Sequence, residues 1–138
     1  MKRGLRVALI TIAGAIPAFL TGRLIWPPDP SIIPTAAQLP YFAFLAALEA
    51  FSFGLGLAFL FEAYPFIGRF PEPERKLGWA MYASVGWLLV SWWPHDNLHQ
   101  HIGMDLQKLL YVEYGFHFTL IIAGFIVAKY FWKQLSRR

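Results

Sequence analysis

A chain of 138 residues that is 57% hydrophobic and 14% charged has the length of one domain and the composition of a protein solvated by lipid. Its net charge of +4 does not signal nucleic acid, because the basic residues flank apolar runs instead of lining one polar face. The lack of cysteine excludes disulfides, thiolate metal sites and cysteine nucleophiles, so only histidine and carboxylate side chains could hold a metal.

The first apolar run, 7–25, follows Lys2, Arg3 and Arg6 as a signal peptide would, but no small-residue cleavage site follows, and the pattern predicts an uncleaved membrane helix. Gly14, Ala18 and Gly22 give this span a seam for a neighbouring helix, and Pro17 predicts a kink. The proline-rich stretch from Trp26 to Pro40 is expected to be an ordered, non-helical loop. A second span is expected over 41–62, with Glu49 inside it, a small-residue seam at Ala50, Gly54 and Ala58, and Ser52 and Gly56 on the face of Glu49. The polar loop from Gly68 to Gly78 leads to a third span over 77–93, closing on Trp92 and Trp93. A histidine-rich turn then precedes a fourth span over 106–132. Glu62, Glu72 and Glu74 read as solvated loop chemistry.

Each of these runs is long enough, at about 1.5 Å per residue, to cross a hydrocarbon core about 30 Å thick. The expected fold is therefore all-α: a single transmembrane domain over 1–138 forming an integral membrane four-helix bundle with two outer loops. Lys2, Arg3, Arg6, Arg69, Arg75, Lys76, Lys129, Lys133, Arg137 and Arg138 share one side of this topology, and only Arg23 and Lys108 lie opposite. That asymmetry places the N and C termini in the cytoplasm, and turns the proline loop and the histidine-rich turn toward the periplasm or exterior of an inner-membrane protein.

The stretch from Trp92 to His117, WWPHDNLHQHIGMDLQKLLYVEYGFH, holds every histidine of the chain: His95, His99, His101 and His117. Glu113 and His117 are four residues apart and share a helical face, on which Gly124 continues as a close-packing position. Counted from Leu106 at the outer surface, they lie roughly 10 and 16 Å deep, and Glu49, counted from Tyr41, lies roughly 12 Å deep. Ionisable groups at such depth cost on the order of 2.5 to 3.5 kcal/mol each and need partners. A divalent transition metal supplies one. Glu113 and His117 are its expected ligands, joined by one or two of His95, His99 and His101, with Glu49 across the bundle and Asp96 orienting an imidazole from behind. Iron, manganese, zinc and copper suit such donors; haem or quinone fits this donor set less well.

Structural readings compete with this one. Glu49 could pair with Arg23, His117 could be a hydrogen-bonded packing residue, and the histidines with Asp105 could solvate a turn in which Asp105 caps the last helix. Trp26, Trp79, Trp92, Trp93 and Trp132 fall near span ends, as in an aromatic belt, whereas Trp87 and Tyr114 could line a lipophilic cavity. The His-x-x-x-His of HDNLHQH and the Glu-x-x-x-His of YVEYGFH resemble the histidine boxes of membrane di-iron hydroxylases and desaturases, but those sets require more histidines than this chain carries. The chain is assigned to no family.

Short loops and the absence of a soluble domain point to an accessory subunit of a larger bacterial membrane complex, respiratory or oxygenase-like, with partners in other membrane subunits or in further copies of the chain. The alternatives are a metal-dependent membrane enzyme acting on a lipophilic substrate and a metal or proton permease. Against a permease, the fourth span is apolar from below His117 to Lys129, leaving no inward relay.

Overall fold

The computed structural model describes residues 1–31, 33–72 and 74–136, so Pro73 of the polar loop and the terminal Arg137 and Arg138 lie outside the described residues. Every regular element among those described is helical: α1 (Arg3–Ile25), α2 (Leu39–Ile67), α3 (Glu74–Val90), α4 (Trp92–Ile102) and α5 (Leu106–Leu135). Within α5 the backbone takes the wider π-helical form over Glu113–His117. Helices α1, α2 and α5 are long and apolar enough to cross a membrane.

The first two helices pack through small residues. A Cβ added to Gly54 would lie 2.2 Å from the carbonyl oxygen of Thr11 and 2.8 Å from the amide nitrogen of Ala15, so the two backbones touch at this crossing. Ala18 on α1 and Ala50 on α2 are buried in one cluster and Ala58 is buried one turn beyond Gly54, whereas Gly22 is buried against α4. Close backbone approach of this kind replaces the hydrophobic drive that is missing between helices in lipid. At the far end of the pair, Arg6 and Arg3 reach the Glu62 carboxylate at 2.9 and 3.7 Å. Glu62 is therefore an inter-helix ion-pair acceptor, not a solvated loop residue. Helix α1 runs unbroken through Pro17, and the Thr21 hydroxyl donates to the Pro17 carbonyl at 2.7 Å.

The opposite face of α2 receives α3. Ser52 Oγ donates to the Leu89 carbonyl at 2.9 Å, Tyr82 donates to the Leu60 carbonyl at 2.6 Å, and Gly56 opens the space that Leu89 and Val90 fill. Helix α5 then packs on α3 from the other side.

The expected third span and histidine turn are in fact two helical pieces. Hydrogen bonds from Ser91 to Trp87 and from His95 to Ser91 carry the helical pattern across the break. Pro94 has no N–H to give to the carbonyl of Val90, and the helix bends there. What the sequence presents as a turn is thus the eleven-residue helix α4. Trp93 is no belt residue: it is buried, with Trp26 edge-on at 4.8 Å and Phe53 tilted against it at 5.0 Å.

Helix α4 ends at Gly103, whose positive φ of 54° suits glycine, and the Asp105 carboxylate caps α5 by accepting from the Lys108 N–H at 3.1 Å. The proline loop is tied to this corner. Asp29 N–H donates to the Gln100 carbonyl at 2.9 Å, and His101 Nδ1 lies 2.7 Å from the Pro27 carbonyl.

Candidate metal centre

The site is built where α4 passes α5. His95 and His99, one turn apart on α4, turn the same face toward α5. Their Nε2 atoms are 3.0 Å apart, and the rings meet edge-on. From α5, Glu113 Oε1 lies 3.2 Å from His99 Nε2, and Glu113 Oε2 contacts His117 Nδ1. The His117 ring lies edge-on to His95, with centroids 4.8 Å apart. One ligand atom from each of His95, Glu113 and His117 falls within a span of 4.8 Å, so these three could share one ion.

A local device in α5 shapes the ligand pair. Over Glu113–His117 the helix is π-helical, a form that is rare and frequently sits at functional sites. Two carbonyls of this wider turn, Gly115 and Phe116, accept from the Thr119 hydroxyl at 2.7 and 2.9 Å. The same oxygen accepts from Trp87 Nε1 at 3.0 Å, which pins the segment to α3. Trp87 in turn stacks on Phe116, and Phe116 lies 4.9 Å from the His95 ring.

The electrostatics favour neutral imidazole at the centre of the group. Burial is the largest influence pushing His95 below its ordinary value, helped by His99 and His117 and opposed by Glu113 and Asp96. Two imidazole nitrogens facing each other at 3.0 Å must share a proton or turn their lone pairs on a common cation. Three imidazoles with one carboxylate are donors suited to zinc, iron or copper.

Of the residues singled out from the sequence, the structure brings His95, Glu113 and His117 together and sets His99 against two of them. It does not bring in Glu49 or His101. Helix α4 lies between α2 and α5, so Glu49, only 3% exposed, meets the carboxyl group of Asp96 on the far side of α4. His101, two residues beyond His99, points the opposite way and anchors the proline loop. Asp96 accepts from Gln100 Nε2 at 2.6 Å and makes no hydrogen bond to an imidazole among the described residues. Among the described residues, Arg23 and Glu49 form no ion pair within 4 Å.

Trp87 lines an apolar notch of about 250 Å³ with Tyr111, Val112, Gly115 and Phe116, whereas Tyr114 stays exposed outside it. Gly124 does not close-pack: a Cβ added there meets nothing within 4 Å. Sequence reasoning missed Thr119, whose only signal is its position four residues after Gly115. In comparisons with known proteins, no family model, no curated protein and no solved structure matches the chain.

Proposed function

We propose that the chain is a four-span protein of the inner membrane, with both termini cytoplasmic. In this reading it is an accessory subunit of a larger membrane complex, respiratory or oxygenase-like, and holds a divalent transition metal near the outer face. The observation that carries the metal is the meeting of His95, Glu113 and His117 within 4.8 Å across two helices, with His99 in contact. His95 lies 18 positions from Glu113 and 22 from His117 in the sequence, and their meeting is one that a solvated turn does not require. The subunit role rests on a small chain whose large apolar side chains are mostly exposed to lipid or to partners.

A second reading, a metal-dependent enzyme on a lipophilic substrate, is favoured by the aromatic notch, because Phe116 is a wall of both the notch and the histidine group. The metal would act there as a Lewis acid or by activating water. Co-purification of stoichiometric membrane partners would favour the subunit over the free enzyme.

Elemental analysis of the protein purified in mild detergent tests the shared premise. Wild type is expected to carry one equivalent of iron, copper, zinc or manganese, and Glu113→Ala or His117→Ala is expected to lose it with helix content unchanged. A metal-free wild type, or variants that keep full metal content, would overturn the assignment.

A further inference from the structure

On the other side of α4 from the histidines, α1, α2 and α4 enclose a half-open cavity of about 420 Å³. Its walls are mostly apolar, including Ala18, Phe42 and Ala43, and its polar groups are Arg23, Trp93 and Asn97. We propose that this cavity binds the acyl chain and acidic head of an amphiphile, a long-chain carboxylate or the phosphate end of a lipid.

Three observations carry the inference. The first is an unpaired donor. Trp93 is only 8% exposed, and its carbonyl accepts from Asn97 Nδ2 at 2.7 Å, but its indole N–H has no partner among the described residues. Buried tryptophan N–H groups ordinarily find an acceptor. The indole nitrogen sits 3.6 Å from where a Cβ of Gly22 would lie, and Gly22 lines the same cavity. The donor therefore stands at the cavity wall, where a ligand oxygen could reach it.

The second is charge. Arg23 also lines the cavity and makes no ion pair within 4 Å among the described residues. Its planar donor fork matches a carboxylate or phosphate better than a neutral head group. The third is size and surroundings. A dry cavity of about 150 Å³ suffices for benzene, so this larger apolar space holds one alkyl chain and leaves the head at Arg23. Because the cavity lies beside the spanning helices α1 and α2, the ligand must be one that partitions into lipid.

The test uses the full chain in phosphatidylcholine nanodiscs, probed by native mass spectrometry with tetradecanoate and with tetradecanol, which has the same chain and no charge. Tetradecanoate is expected to bind in one equivalent and tetradecanol roughly tenfold more weakly or not at all, as loss of a charge-assisted hydrogen bond implies. Arg23→Gln should weaken tetradecanoate by a similar factor, and Ala43→Phe should remove binding by filling the space. Displacement by phosphatidylglycerol would identify a membrane lipid as the source, and its failure to displace would identify the free acid; either supports the site. Equal binding of the alcohol and the acid, or full binding by Arg23→Gln, would mean nonspecific lipid contact and overturn it. Neither substitution touches the histidine group, so metal content is expected to stay unchanged and the two assignments stand or fall separately.

Discussion

At Gly54 a single missing side chain sets how closely α1 and α2 approach. Gly54→Ala would drive a Cβ into the Thr11 carbonyl and the Ala15 backbone, atoms that cannot swing aside as a side chain would. The expected cost is about 1–3 kcal/mol, the ordinary range for overpacking. Gly115→Ala is the matching control, since a Cβ there meets nothing within 4 Å. Relieving a helical glycine without a clash should stabilise by about 0.5–1 kcal/mol. Thermal unfolding in one detergent reads both, and a Gly54→Ala protein as stable as wild type would mean that the seam is not a close contact. The seam was legible because small residues four apart report a packing face directly. Gly124 shows the limit: its place on the face of Glu113 and His117 marked it as a packing position, yet no described helix covers it, because which face a neighbour covers is decided by the whole bundle.

Among the elements, the bent pair α3 and α4 and the π-helical turn of α5 were the least legible. Glu113 and His117 could be paired from their spacing, but spacing does not disclose that the backbone between them widens. That depends on Thr119 supplying a hydroxyl to two carbonyls and on Trp87 holding it from α3. The histidine segment was similarly ambiguous, because Pro94 and Asn97 suit a turn as well as a helix start. In the structure Pro94 bends the helix without ending it, and the bend aims His95 and His99 at α5. Pro94→Ala would return an N–H to the Val90 carbonyl and straighten the pair. Helix content should be unchanged while metal affinity falls roughly tenfold or more, the scale on which outer supports of a metal site act. Titration of the variant with zinc measures this, and an unchanged affinity would show that the bend is irrelevant to the site.

For the whole molecule, the path through the membrane turns on α3. Helices α1, α2 and α5 are long and apolar enough to cross, whereas α3 has only 17 residues, about 25 Å of rise, before the bend at Ser91. The sequence argued for a crossing from the length of the apolar run 77–93 and took only its direction from the basic residues, a signal that acts during insertion and leaves no mark in the packing. The packing adds one constraint: the Arg3, Arg6 and Glu62 group closes one end of α1 and α2, while Gly22 meets Asn97 and Trp93 of α4 at the other. The histidine group therefore belongs to the end remote from the basic N-terminus. If α3 crosses, the loop between α2 and α3 and the corner between α4 and α5 lie on opposite sides of the bilayer; if it does not, they share a side. The chain has no cysteine, so a single introduced thiol reports cleanly on either place. Met104→Cys, at a position 73% exposed between α4 and α5, is expected to react with an impermeant maleimide from the periplasmic side. Glu72→Cys, on the exposed loop before α3, is expected to react only after the membrane is opened. The reverse pattern would invert the orientation, and labelling of both from one side would remove α3 from the spanning set while leaving the metal group intact.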